Sequence, residues 1–300
     1  LSYASSISAK VVIAYQNSSS SKGWEWQMGR MDGRVAFITG AGKGQGRSHA
    51  VRLAEEGADI VGVDICRQLD GVLYAMATPE DLDETVNLVE KTGQRMIARQ
   101  ADVRDRKTLQ AAFDDGVAEF GYIDTVVANA GIVLNRVDEP DPEAAWELGI
   151  GVLLTGVWNT LQIASAHMMK SDRGGAIVAT SSMAGLKALT DGSGGADAYA
   201  AAKIGVTGLV RAYAQRMAAK NIRVMAIAPT GVNTAMIVEN PALFEVIAQN
   251  EHLAKAMTNA LPVTVIEPSD VSETVLFLVS DSGRYYTGTT LMLDAGMNMT

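Results

Sequence analysis

The chain has 300 residues, a net charge of -9, a pI near 4.9, a hydrophobic fraction of 48% and a charged fraction of 20%. This composition excludes a disordered chain, and the acidic balance without a Lys/Arg cluster argues against nucleic acid or an anionic membrane as partner. The single cysteine, Cys66, excludes an intrachain disulfide, and no apolar run reaches the roughly 18 residues of a membrane span; a reducing, cytoplasmic setting is expected.

Residues 1–30 stand apart, with the run Ser18 to Ser21 and two of the four tryptophans, Trp24 and Trp26. Val11 to Ala14 is too short for the apolar region of a signal peptide, so a disordered leader or appended extension is expected there. A single domain, residues 31–300, is expected to follow. From Val35 onward, short β-branched runs alternate with helical patterns, the signature of repeated βαβ units. The predicted architecture is a single Rossmann-type, doubly wound α/β domain, with a seven-stranded parallel sheet and helices on both faces.

The predicted strands are Val35 to Thr39, Asp59 to Val63, Arg95 to Gln100, Thr125 to Ala128, Ala176 to Thr180, Arg223 to Ala228 and Thr290 to Leu293. Between them, Ser48 to Glu56, Lys107 to Glu119 and Ala198 to Ala219 carry apolar residues at three- and four-residue spacing and predict helices. The stretch from Asp64 to Gly93 is long for one connection and holds Gly71, Pro79 and the acidic Glu80 to Glu84 cluster. Residues 65–93 are therefore expected to form an inserted flap. Residues 236–261, rich in Met, Leu, Ile and Ala, suit a lid over an apolar substrate and equally an ordinary amphipathic helix pair.

Thr39-Gly40-Ala41-Gly42-Lys43-Gly44-Gln45-Gly46 follows the first strand and opens a helix. In that setting glycines let the loop turn tightly and bring unpaired helix N–H groups against a diphosphate, with Gly40, Gly44 and Gly46 the carriers. Asp64 lies 18 residues after Gly46 at the end of the second strand. A carboxylate there accepts from the adenosine ribose hydroxyls and repels a 2'-phosphate, which favours NAD over NADP; Lys43 is the residue that would favour the phosphate.

Tyr199 and Lys203 are four apart on a predicted helix, so both project from one face. A tyrosine titrates near 10, and bringing it roughly three units toward neutrality takes about 4 kcal/mol, which a nearby ammonium and a cationic nicotinamide are expected to supply. Ser182 follows the strand Ala176 to Thr180, a place from which it can donate to a substrate oxygen, and Ser181 is its rival. Cys66 reads as a small buried residue, and His49, His167 and His252 lack metal-ligand spacing, so no metal is expected.

Taken together, Thr39 to Gly46, Asp102-Val103, Asn129-Ala130-Gly131, Ser182, Tyr199-x-x-x-Lys203 and Pro229-Thr230-Gly231 resemble the short-chain dehydrogenase/reductase family in order and spacing, over Met31 to Thr300. The resemblance implies that Asp102 and Val103 contact adenine and that Asn129, Ala130 and Gly131 line the ribose. It also implies that Tyr199 is the general base and that Lys203 holds the nicotinamide ribose. Ser182 fits the family register through Ser182-Met183-Ala184-Gly185. Gln45, the run Asp64-Ile65-Cys66, the insertion and Pro229-Thr230-Gly231-Val232-Asn233-Thr234 are similar to the carveol dehydrogenase branch. There the insertion is expected to cover NAD while mycofactocin re-oxidises it in place. The resemblance further implies a homotetramer and Pro229, Gly231, Val232 and Thr234 as cofactor contacts.

One position departs from the family: in Trp146 to Gly156, Leu153 stands where an Asn is expected. Leucine has no donor or acceptor, so the water that the Asn holds in the family cannot be bound directly. Gly149 and Gly151 fall in the same predicted helix, where each costs about 1 kcal/mol relative to alanine, with no explanation in the sequence. The expected activity is interconversion of an apolar secondary alcohol, such as a cyclic terpenoid, with its ketone. The alternatives are a 3-oxoacyl thioester reductase and an NAD-binding scaffold impaired by Leu153.

Overall fold

The computed structural model describes residues 29–300, in which seven strands form one parallel sheet. In chain order they are β1 (Val35–Thr39), β2 (Asp59–Asp64), β3 (Met96–Gln100), β4 (Thr125–Ala128), β5 (Gly175–Thr180), β6 (Ile222–Pro229) and β7 (Thr290–Leu293). Their spatial order is 3-2-1-4-5-6-7. β2 and β6 run further than the apolar pattern suggests because the ladder continues, pairing Asp64 with Gln100 and Pro229 with Leu293.

Successive side chains point to opposite faces, so the inner strands β1, β2, β4, β5 and β6 feed two cores, while on the edge strand β7 Met292 is exposed. Val35 and Phe37 join Leu109, Phe113, Leu161 and Val206 on one side. Ala36 and Ile38 join Leu53, Leu82, Val89 and Val275 on the other. The helices that supply these residues are α1 (Gly44–Glu55), α2 (Pro79–Glu90), α3 (Arg106–Phe120), α4 (Pro142–Ile150), α5 (Gly156–Met168), α6 (Met183–Leu186), α7 (Gly194–Met217), α8 (Ala235–Val238), α9 (Pro241–Gln249), α10 (Glu251–Ala256) and α11 (Pro268–Val279). α1, α2 and α11 cover one face, and α3, α5 and α7 the other.

Two readings of the sequence need correction. Residues 65–93 are not one flap: Pro79 and the acidic residues begin α2, where Thr78 and Asp81 form a reciprocal capping box and the carboxylates favour the helix N-terminus. The irregular part is confined to 65–78. The fold also reaches upstream of Met31, because Arg30 donates to Glu56 through its backbone N–H and its guanidinium, at 3.0 and 2.9 Å. The rest of the expected leader, residues 1–28, lies outside the described residues. Pro142–Met168 is long and apolar enough on average to cross a membrane, but polar residues such as Asn159 and Gln162 interrupt it and most of its most apolar stretch is buried inside the protein, as in a core helix.

That long helix is interrupted by a π-helical turn, Gly151–Thr155, between α4 and α5. Two of its glycines have a packing reason. A Cβ on Gly149 would lie 2.7 Å from the Ala198 Cβ of α7, and one on Gly156 would lie 2.5 Å from Val103. Close approach to α7 thus offsets the weakness at Gly149, whereas a Cβ on Gly151 would meet only the Arg104 side chain, at 3.3 Å, and its cost has no such reason.

α1 meets α11 through His49, whose Nδ1 lies 2.8 Å from Ser272 Oγ. Burial drives the imidazole down to about 3. The unfolded chain takes up a proton near 6.5 while the native state refuses it, so this stability is complete above about 6.5 and is lost as pH falls toward 3. Urea unfolding should show about 1 kcal/mol less stability at pH 5.5 than at pH 7, and His49→Gln should remove most of that difference. A slope unchanged in the variant would assign it elsewhere, first to His167, whose proton affinity burial also lowers.

Candidate active site

β1 and β4 are neighbours, but the chain leaves them toward opposite sides of the sheet, opening a crevice at their C-terminal ends. Thr39 closes its floor: its Oγ1 accepts from the backbone N–H groups of Asn129 and Ala130 at 3.0 and 3.1 Å, and the Asn129 amide donates to the Thr39 carbonyl at 3.1 Å. The glycine loop folds over this joint. Gly40 has φ +71°, and a Cβ on Gly46 would come within 1.8 Å of the Gly40 carbonyl oxygen, so only glycine fits there. Arg47 fastens the loop from behind, donating to the carbonyls of Gly42 and Asp81, each at 2.6 Å. Thr39 enters the sequence reading only as the first residue of the glycine motif, and Arg47 does not enter it. Thr39 carried a weak signal as the polar end of an apolar strand, whereas the role of Arg47 depends on α2, which the sequence did not place.

The crevice brings together Gly40, Lys43, Gly44, Gln45, Asp64, Ile65, Asp102, Val103, Asn129, Ala130, Gly131 and Thr234, with Gly46 buried beneath the loop. Asp64 accepts from Gly42 N at 2.9 Å and Cys66 N at 3.1 Å. Burial raises its proton affinity, opposed by these backbone donors. Asp102 is tied to Arg104 at 2.6 Å and Arg67 at 3.5 Å; burial opposes its ionisation, but Arg104 outweighs burial and holds the carboxyl below its usual range. Tyr74, Met76 and Ala77 from the 65–78 segment add a wall to the crevice.

These residues fit a dinucleotide. The loop offers backbone where side chains would intrude, and Gln45 Oε1 is buried without a hydrogen-bond partner, an acceptor waiting for a donor. Cys66, by contrast, is no nucleophile, because burial and Asp64 push its thiol up to about 12. Among the described residues no group of three or more His, Cys, Asp or Glu could hold a metal ion.

A second pocket adjoins the crevice and holds Ser182, Tyr199, Lys203, Pro229, Gly231 and Val232, sharing Gln45, Asn129, Gly131 and Thr234 with it. The two serines have separate tasks. Ser181 Oγ donates to the Lys203 carbonyl at 2.8 Å, while Ser182 lines the pocket with Tyr199 and pulls the phenol's proton affinity down. Lys203 is 4% exposed, and its Nζ donates to the Thr180 carbonyl at 2.8 Å; burial lowers its proton affinity to about 8.

The tyrosine departs from expectation. Burial holds the Tyr199 phenol above its ordinary value, with Ser182 pulling the other way. Lys203 Nζ is 5.7 Å from the Tyr199 ring centre and spends a hydrogen bond on Thr180, so the ammonium alone does not produce the lowering that the spacing suggested. Leu153 is fully buried beside this group. A Cβ built on Gly131 would sit 3.2 Å from Leu153 Cδ2 and 3.7 Å from Lys203 Nζ, so leucine fills apolar space next to the ammonium.

The outer wall of the second pocket is apolar. Met236, Ile237, Leu243, Val246, Leu253 and Met257 line it, so residues 236–257 cover a cavity rather than only one another. The loop before them is fixed by Thr230 N to Leu293 O at 3.0 Å and by the Val232–Ile266 bridge.

A family model described as enoyl-(acyl carrier protein) reductase matches residues 40–298. The (-)-trans-carveol dehydrogenase of Rhodococcus erythropolis is 42% identical, covering 91% of this chain and 100% of its own. An uncharacterized oxidoreductase of Mycobacterium tuberculosis is 46% identical over 89% of this chain and 96% of its own length. The crystal structure of carveol dehydrogenase from Mycobacterium avium in complex with NAD superposes with a TM-score of 0.84 at 43% identity, covering 91% of this chain and all of that one. With its parallel sheet, glycine loop and Ser–Tyr–Lys pocket, the chain belongs to the short-chain dehydrogenase/reductase family.

Proposed function

We propose that the protein is an NAD-dependent dehydrogenase that interconverts an apolar, cyclic secondary alcohol and its ketone. The observation that carries this reading is the placing of Ser182, Tyr199 and Lys203 in an apolar pocket that opens onto the dinucleotide crevice. NAD, when bound, supplies the hydride acceptor and the positive charge that favours a tyrosinate. Ser182 donates to the substrate oxygen and orients it. Tyr199 takes the hydroxyl proton, the general-base step, and Lys203 stabilises the phenolate while holding the ribose. Lacking a polar atom, Leu153 cannot hold the water that would carry this proton onward.

Asp64 supports NAD over NADP: each of its oxygens already accepts one backbone N–H and keeps lone pairs for ribose hydroxyls, whereas a 2'-phosphate would meet a buried carboxylate. The same carboxylate argues against the 3-oxoacyl thioester reductase, and the gathering of Ser182, Tyr199 and Lys203 in one pocket argues against an inactive scaffold. The 65–78 wall supports a captive cofactor re-oxidised in place by mycofactocin. Exposed Trp146, Trp158 and Ile204 on α4, α5 and α7 support self-association into the homotetramer.

Tyr199→Phe should reduce alcohol oxidation by about 10³-fold and leave NAD affinity, read by tryptophan fluorescence, within about twofold; near-normal turnover would sink the assignment. Asp64→Ser should raise the NADP/NAD affinity ratio at least tenfold, and an unchanged ratio would move the discrimination to another residue. The overall reading is tested by denaturing the purified protein, identifying released nucleotide, and assaying carveol with NAD or an artificial acceptor. NAD released together with acceptor-dependent turnover is the expected result, and absence of both binding and turnover would overturn it.

A further inference from the structure

α6 follows directly from Ser182, and Lys187 caps its C-terminal end. Lys187 does not line either pocket, yet its Nζ donates to three backbone carbonyls, those of Ala256, Met297 and Thr300, each at 2.9 Å. The three carbonyls come from two segments distant in sequence: Ala256 ends α10, and Met297 and Thr300 belong to the last turn of the chain. An ammonium has three donors, and here each has its own acceptor, so the group is saturated and its geometry fixed.

The two segments are pocket walls. Met257, next to Ala256, and Met297 both line the alcohol pocket, and Met297 is 2% exposed. Behind them lies a small core of Met183, Ala228 and Met297, with Leu186, Leu189 and Met257 packed on it, separate from the two large cores. Six residues bury too little apolar surface to hold two chain segments by themselves. The polar ties are correspondingly dense: Thr300 Oγ1 donates to the Thr258 carbonyl at 2.7 Å, and Leu261 N donates to the Ala295 carbonyl at 2.9 Å.

From this geometry we infer that Lys187 is a positioning residue that latches the end of the lid and the 297–300 turn onto the segment carrying Ser182, fixing the far wall of the alcohol pocket. The latch rests on the dehydrogenase reading for its effect on catalysis but not for its effect on structure. Removing it loosens the wall against which an apolar ring packs and leaves the dinucleotide crevice intact. The cost therefore falls on binding of the alcohol and not on the chemical step.

Lys187→Met keeps the aliphatic stem and removes the donors. It should raise the KM for carveol about tenfold, change kcat less than threefold and leave NAD affinity unchanged, and Lys187→Arg should recover most of the KM. Hydrogen exchange should accelerate in 251–258 and 296–300 but not in α7. Thr300→Val cuts the neighbouring tie at an exposed position and should speed exchange in the same two segments to a smaller degree, keeping the test open if Lys187→Met does not fold. The inference is overturned if both variants leave exchange in these segments unchanged, or if kcat falls with KM constant. If the wild-type protein oxidises no alcohol, the dehydrogenase reading fails, while exchange still decides whether the latch exists.

Discussion

Two reciprocal hydrogen bonds join the end of β5 to the middle of α7, and the site is organised around them. Lys203 Nζ donates to the Thr180 carbonyl, and Ser181 Oγ donates to the Lys203 carbonyl, both at 2.8 Å. A buried ammonium is costly unless its donors are engaged, so the helix is held at one rotation and one height against the strand end. Tyr199, one turn earlier on the same face, is thereby brought to Ser182, and the pair faces the crevice that Thr39 closes at β1 and β4. The chemistry lives on side chains, but their coordinates come from this clasp.

The fold was readable because its signals are local. β-branched and apolar runs marked all seven strands to within one or two residues, since the inner strands are buried on both faces and apolar along their length, while β3 and β7 at the edges keep only part of that pattern. Pro79 and the acidic residues after it misled for a physical reason: the same residues that punctuate loops also start helices, and only the capping geometry of Thr78 and Asp81 separates the two.

The site was readable in its membership more than in its energetics. Spacing brought Tyr199 and Lys203 to one face, and strand ends placed Asp64 and Asn129 at the crevice. What spacing cannot carry is environment. The phenol is dominated by burial, Lys203 is occupied by Thr180, and Asp102 is engaged by Arg104, all contacts between segments distant in the chain or set by local rotamers. Arg47 and Lys187 escaped notice because an arginine and a lysine are ordinary surface residues until the fold supplies their carbonyl partners.

The π-helical turn at Gly151–Thr155 sets a constraint of phase. Such a turn holds an additional residue compared with an α-helical one, so α4 and α5 are offset by roughly 100° about their common axis relative to an unbroken helix. Gly149 faces Ala198 and Gly156 faces Val103 only under that offset. Deleting one residue here would preserve a continuous helix of nearly the same length yet turn one of these contacts away from its neighbour. The length of this segment is therefore coupled to the angular setting of the helix rather than to its reach, and the residue count between Gly149 and Gly156 is as much a part of the active-site framework as any side chain in it.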